Sequence, residues 1–289
     1  MNTAPNQAES VAMAAGPRTW ISQHPLLAFF VLAYGISWLG AIPYALAAWP
    51  VPFFPFGPLV AALIVTAVTG GWATTRTLLL RMLQWRVGAR WYAFALLLPV
   101  AVTLGAAYVN VLLGAADPTG AIVAALPSVV PLFALAMVFP LQGTMGEEPG
   151  WRGFAMPRLL SAHSPLATSL VLGVLWAGWH APLFVTGVYG DAWLLHLLSI
   201  VTLTVLFTLL YLGTGGSVLL AMVFHTAWNL SAEILLSSFA GADVARALTL
   251  YLVGGIAVAV VATLVAWPRL TRSSTSPARP APVSAPAAA

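Results

Sequence analysis

The sequence predicts an all-α polytopic membrane protein of about eight transmembrane helices with both termini in the cytoplasm. Three observations carry that reading. Of 289 residues, 61% are hydrophobic and 6% charged, whereas a soluble domain carries about 25% charged residues to clothe its surface. The apolar residues fall into runs near the ~20 residues that a helix needs to cross a hydrocarbon core of about 30 Å. The arginines fall almost entirely between alternate runs, as positive-inside topology requires. Mean hydropathy is +0.94.

Taken in order, the spans run roughly over 25–47, 53–72, 91–114, 124–146, 166–186, 193–212, 217–238 and 247–267. The second begins among Pro52, Pro55 and Pro58. Residues 1–24 read as a polar N-terminal segment without a cleavable signal peptide, because the first apolar run is long enough to stay in the bilayer. Residues 25–270 form the embedded domain, and the Ser/Pro/Ala-rich tail over 271–289 is expected to be disordered. With eight crossings, Arg18, Arg76, Arg81, Arg86, Arg90, Arg152, Arg158, Arg269, Arg272 and Arg279 all share one side. Arg246 falls on the other, with Asp117, Asp191 and Asp243.

Composition excludes whole classes of chemistry. The chain has no cysteine, which removes disulfides, thiolate metal sites and cysteine nucleophiles. All 11 basic residues are arginine, so a phosphate-loop lysine and a Schiff-base lysine are absent. Scattered arginines in a lipid-soluble chain give topology, and no nucleic-acid partner is expected. The arrangement places the protein in the cell membrane as a multi-pass protein.

Ionisable groups within spans are costly and usually face a cavity. Three stretches collect them. The first is M-G-E-E-P-G-W-R-G-F at 145–154, where Glu148 and Arg152 stand in the favourable i, i+4 order. Pro149 should break span four here, the chain re-emerging as an amphipathic segment on the cytoplasmic face. Glu147 and Glu148 are neighbours, so on a helix they point ~100° apart; one can face a cavity while the other pairs with Arg152. The second stretch is W-A-G-W-H at 176–180, with Trp176 and His180 on one face. The third is F-H-T-A-W-N at 224–229, where His225 and Asn229 lie one turn apart and Glu233 continues the line. Alone, each has a plain reading: a juxtamembrane ion pair, an interfacial histidine, interhelical hydrogen bonding. Together they supply a base, two imidazoles, an amide donor and an arginine, enough to activate water and stabilise an oxyanion. His24, His163 and His196 receive no role. No H-E-x-x-H occurs. Ser217 lies about 12 Å along the helix from His225, too far to be activated by it.

These motifs, E-E-x-x-x-R at 147–152, aromatic-x-x-x-His at 176–180 and His-x-x-x-Asn at 225–229, resemble the CPBP intramembrane protease family, the CAAX-prenyl-protease-2 and bacteriocin-immunity-related group. The similarity covers about residues 120–240. Trp176 stands where the family usually shows Phe, and should serve as a pocket wall. The resemblance implies an endopeptidase that opens toward the cytosol and cleaves membrane-attached peptides or proteins, a prenylated CAAX peptide being one option. It implies Glu147 as the base with His180 beside it, His225 and Asn229 as the oxyanion site, and Glu148 and Arg152 as supporting residues. Glu147, His180 and His225 could also supply three ligands to Zn2+; a metal-free glutamate mechanism uses the same residues. The competing readings are a proton-coupled transporter and a non-enzymatic membrane scaffold or immunity protein. The polar residues crowd into the second half and no internal repeat is found, which argues against a transporter.

Counted from the cytoplasmic ends of these spans, His225 is about eight residues deep and His180 about fourteen, a mismatch of roughly 9 Å. Reporter fusions after residue 80 and after residue 270 should read cytoplasmic, and fusions near Asp117 and Asp191 external. A cytoplasmic signal near Asp191 would break the eight-span arrangement.

Overall fold

In hydrocarbon every backbone N–H and C=O must be satisfied within the protein, which leaves a chain of apolar 20-residue runs only helices to form. The computed structural model describes residues 17–139 and 143–272. Within them the chain is mainly helical, with no strand, and it is an all-α polytopic membrane protein. Residues 1–16 of the expected polar segment and 273–289 of the expected tail, Arg279 included, lie outside the described residues. Pro17–Gln23 forms a short helix, α1.

Seven helical stretches are long and apolar enough to cross a bilayer. They are Pro25–Ala45, which joins α2 (Pro25–Trp38) to α3 (Ala41–Ala45), then α4 (Gly57–Met82), α5 (Ala89–Leu112) and α6 (Thr119–Val138). After the site helices α7 (Thr144–Glu148) and α8 (Met156–Leu160) come α9 (Pro165–Trp179) and α10 (Ala181–Val185). The remaining crossings are α11 (Trp193–Gly213, with a 3-10 turn before it), α12 (Val218–Ser237) and α13 (Ala242–Val265). The last short helix is α14 (Trp267–Leu270).

Three expected boundaries move, each for a physical reason. The fifth span stops at His180, because α9 has 15 residues and rises only about 22 Å; α10 then starts at Ala181, with Pro182 in its first turn. The second span reaches residue 70 and then turns. Gly71 has φ 59° and ψ −155°, open to glycine because it has no Cβ. The hydroxyls of Thr66 and Thr75 meet at 3.2 Å, although nine residues of straight helix would separate them by about 13.5 Å. Residues 72–82 therefore fold back as a second arm carrying Arg76 and Arg81. The fourth span ends at Val138 rather than near 146.

The break expected at Pro149 is the largest correction. Pro149 has φ −60° and ψ −33°, and Glu148 before it has φ −62° and ψ −36°, both helical. The helix continues from α7 through a π-helical stretch, Pro149–Ala155, into α8. Proline removes one donor, and the widened turn absorbs the mismatch; such turns recur at functional sites. Every residue of Pro149–Ala155 is buried, so the segment is no amphipathic surface helix. It packs on α4: a Cβ at Gly150 would meet Pro58 at 2.5 Å.

Around this segment sits an aromatic core. Trp151, Phe154, Phe29, Trp179, Phe207 and Phe224 are fully buried. Trp151 meets Phe29 edge-on at 5.4 Å between ring centroids and Trp179 at 5.7 Å. The central helix is α12, most of whose residues are buried, whereas α6 has none buried and lies outermost. Gly150→Ala should destabilise by roughly 1–3 kcal/mol through overpacking against the Pro58 backbone. Gly35→Ala, whose Cβ meets nothing within 4 Å, should leave the melting temperature in detergent within a degree or two. Equal stability for both variants would contradict the close packing of α4 on the π-helical turn.

Candidate active site

The three polar stretches come together. Glu147, Trp176, His180, His225 and Asn229 all line one cavity of about 410 Å3. α7 supplies Glu147, α9 supplies Trp176 and, at its end, His180, and α12 supplies His225 and Asn229.

Glu147 is 5% exposed, and its Oε2 accepts the Trp176 indole N–H at 2.9 Å. Trp176 is thus more than the expected wall: a phenylalanine there could not donate. His180 Nδ1 lies 2.8 Å from the Trp176 carbonyl oxygen. A carbonyl only accepts, so Nδ1 carries the proton, and in the neutral ring Nε2 is left as an acceptor. Trp176 stands edge-on to His225, with ring centroids 5.5 Å apart. It is therefore Trp176 that lies level with His225, and His180 is one turn further on. That turn, about 5.4 Å, is the larger part of the depth mismatch read from the sequence.

Glu148 points away from Glu147's cavity, into protein. Its Oε1 accepts Arg152 Nη1 at 2.8 Å and His225 Nδ1 at 2.7 Å. Glu148 and Arg152 are both 0% exposed. The Arg152 guanidinium is clamped between aromatic faces, 4.1 Å from the Trp176 centroid and 3.5 Å from that of Phe207. Its Nε and Nη2 find no acceptor, so the π faces supply what hydrogen bonds do not. Thus Glu148 holds His225 directly, a contact between α7 and α12 that no sequence spacing announces.

Asn229 is exposed, one turn beyond His225. Glu233 is exposed too and is not among the residues lining the cavity. Ser217 caps α12, accepting Leu220 N–H at 3.1 Å and donating to the Gln84 carbonyl at 2.7 Å. Three lining residues had no signal in the sequence. His196 stacks on Tyr189 with centroids 4.2 Å apart; they are seven residues apart, and the turn between α10 and α11 brings them together. Phe53, from the proline-rich loop before α4, lies over Trp179 and His180 at 4.7 and 6.0 Å.

Among the described residues no three of His, Asp or Glu come together closely enough to hold a metal ion. Glu147 Oε2, His180 Nδ1 and His225 Nδ1 are each engaged by protein, which leaves Glu147 Oε1 and the two Nε2 atoms as the remaining donor atoms, and no step below runs through a metal.

The cavity has a direction. Its floor, at Glu147, Trp176 and His225, is buried, whereas Val51, Tyr189, His196, Ala232 and Leu236 along its upper wall are partly exposed. Those residues belong to the ends of helices meeting at loops 46–56, 186–192 and 238–241. Arg81, Arg158 and Arg269 lie at the opposite end, where Arg81 Nη1 bonds Tyr211 Oη at 2.9 Å and Gln84 Nε2 bonds the Thr214 carbonyl at 2.9 Å.

Comparison with known proteins agrees with the motif region. Residues 127–231 match the model of a family described as type II CAAX prenyl endopeptidase Rce1-like. A curated relative, CAAX prenyl protease 2 of Methanococcus maripaludis, is 37% identical over 98 residues, covering 31% of this chain and 36% of the relative. The match thus spans about a third of that protein's length.

The buried cluster generates a stability prediction. Arg152→Ala leaves the buried Glu148 carboxylate with only its bond from His225 and should cost about 3–5 kcal/mol, seen as loss of monodisperse protein in detergent. Arg152→Lys should not restore it, because an ammonium cannot lie flat between Trp176 and Phe207. Wild-type yield from Arg152→Ala would remove the cluster from any structural role.

Proposed function

We propose, for a chain whose motif region belongs to the CPBP family of intramembrane proteases, that it is an endopeptidase hydrolysing membrane-associated peptides in the cytoplasmic membrane. One observation carries the reading: a carboxylate sunk to 5% exposure shares its cavity with the imidazoles of His180 and His225 and the amide of Asn229. A burial this costly is retained where the group has work to do.

The residues divide the chemistry. Glu147 takes a proton from a water as the water oxygen attacks the scissile carbonyl carbon. The Trp176 N–H on Oε2 fixes the carboxylate and leaves Oε1 for the water. His180, neutral with its proton on Nδ1, offers Nε2 as a second acceptor that orients the water. His225, held through Nδ1 by Glu148, donates from Nε2 in its imidazolium form to the developing oxyanion, and the Asn229 amide donates beside it. As the tetrahedral intermediate collapses, the C–N bond breaks and the departing amine takes the proton from Glu147. Water is consumed and the carboxylate is regenerated.

The name of the Methanococcus relative makes a prenylated CAAX peptide one substrate to try. A metal-free, glutamate-dependent mechanism is the form of hydrolysis proposed, and dialysis against a chelator should leave turnover unchanged.

Turnover of a fluorogenic peptide by purified full-length protein tests the assignment. Glu147→Gln should lower kcat by about 10²–10⁴ and Asn229→Ala by about 10²–10³, with folded yield retained. Trp176→Phe keeps the wall and removes one hydrogen bond to a charged group, about 1.5–3 kcal/mol, so kcat should fall roughly ten- to a hundredfold with KM little changed. Full activity in Glu147→Gln would end the peptidase reading.

A further inference from the structure

The reversal at Gly71 builds a second cleft at the arginine end of the bundle. It has a volume of about 340 Å3 and is lined by Thr66, Thr74 and Thr77 from the two arms of α4, by Arg81 further along the returning arm, and by Gly153 and Arg158 from the π-helical stretch and α8. It shares no lining residue with the cavity of Glu147. The returning arm is packed in place. Leu78 is buried, and a Cβ at Gly153 would meet its Cδ1 at 2.4 Å. Just beyond the arm, the Ser217 hydroxyl donates to the Gln84 carbonyl at 2.7 Å.

Two arginines share this cleft with no acid. Arg81 and Arg158 take part in none of the ion pairs among the described residues, and no Asp or Glu lines the space. They are near enough to repel one another, and both are partly buried, where charges are screened less than in open water. Neutral contacts hold them there. Arg81 Nη1 donates to Tyr211 Oη at 2.9 Å and Arg158 Nη1 to the Phe154 carbonyl at 2.9 Å, and the Arg158 Cζ lies 3.6 Å from the Phe154 ring centroid. A guanidinium has further N–H donors beyond the one used in each case. Two fixed guanidiniums beside threonine hydroxyls match a phosphate, whose oxygens accept paired N–H donors.

A neighbouring hollow decides which phosphate. Thr77 and Arg81 also line a space of about 360 Å3 with Leu80, Leu83, Trp85 and Arg86. Leu80, Leu83 and Trp85 are all exposed large hydrophobics, so apolar surface stands beside the guanidiniums at the end of a transmembrane bundle. A phosphate that carries acyl chains satisfies both features; free phosphate satisfies only the first. A zwitterionic headgroup brings an ammonium, for which the cleft has no carboxylate. We infer that Arg81 and Arg158 bind the phosphate of an anionic phospholipid, whose apolar part lies against Leu80, Leu83 and Trp85. Basic pockets between membrane helices take such headgroups. The bound lipid neutralises two repelling charges and ties the returning arm of α4 to α8.

Lipid binding to delipidated full-length protein in detergent tests the site. The protein is titrated with micellar phosphatidylglycerol, phosphatidylcholine or inorganic phosphate, bound lipid is counted by native mass spectrometry, and the thermal midpoint is followed in parallel. Phosphatidylglycerol should bind and raise the midpoint, and phosphatidylcholine should bind more weakly. Arg81→Gln combined with Arg158→Gln should weaken phosphatidylglycerol binding roughly ten- to a hundredfold, the loss expected of hydrogen bonds between charged groups. Arg81→Lys combined with Arg158→Lys keeps the charge and should bind more tightly than the glutamine pair. Because Arg81 also bonds Tyr211, Thr77→Glu gives a variant at an exposed position, where a carboxylate should repel the phosphate without disturbing the core. Arg76→Gln removes a charge from the same arm outside the cleft and should bind as wild type does. Equal binding of the two lipids, wild-type binding by Thr77→Glu, or an equal loss in Arg76→Gln would overturn the site. A midpoint rise from inorganic phosphate as large as that from phosphatidylglycerol would overturn the assignment to a lipid.

Discussion

Glu148 Oε1 takes two donors at once, Arg152 from its own helix and His225 from α12, at a depth where neither water nor lipid can substitute for either. That shared oxygen fixes the register of two helices that are far apart in sequence. It also holds the helix together across Pro149, because Glu148 and Arg152 must stay one turn apart on the same side. The π-helical turn between them is where the missing proline donor and the i, i+4 ion pair are reconciled. Removing the pair as a whole could be tolerated by an apolar core; removing one member cannot, since the other stays charged and buried.

Two adjacent carboxylates thereby take opposite fates. Glu148 is spent on protein, while Glu147, rotated by about 100°, keeps one oxygen for the Trp176 indole and one for the cavity. The guanidinium of Arg152 lies against the same Trp176 ring that donates to Glu147, so the structural cluster and the candidate base are joined through one side chain. Trp176 is wall, donor and cation clamp together, and the neighbouring His180 is oriented by its backbone carbonyl. Position at the site is set by a few contacts that each serve two residues.

The aromatic floor under the site has a second consequence. By filling the arginine half of the bundle with Trp151, Phe154, Phe207 and Phe224, the fold leaves the loops at the other end as the cavity's open side. The same apolar filling that desolvates Glu147 also decides on which side of it the cavity opens.

Composition and spacing alone determine the class, the approximate place of most of the long helices and the three polar stretches that supply Glu147, Trp176, His180, His225 and Asn229 to one cavity. Hydrophobic runs and arginine placement are local properties, and an E-E-x-x-x-R next to a proline is visible wherever it sits. Composition and spacing do not determine where helices break. Pro149 reads as a stop because local geometry disfavours the residue before proline in a helix, yet the ion pair across the turn and packing on Pro58 outweigh that preference. Span two gives no sign of turning at Gly71, and only the contact between Thr66 and Thr75 shows the reversal. Nor could spacing reveal that His225 is held by Glu148, that Trp176 bonds Glu147, or that the cavity faces away from the basic loops. Those are contacts between segments tens of residues apart, and what fixes them is the need to satisfy each buried polar group inside a bundle that lipid cannot help.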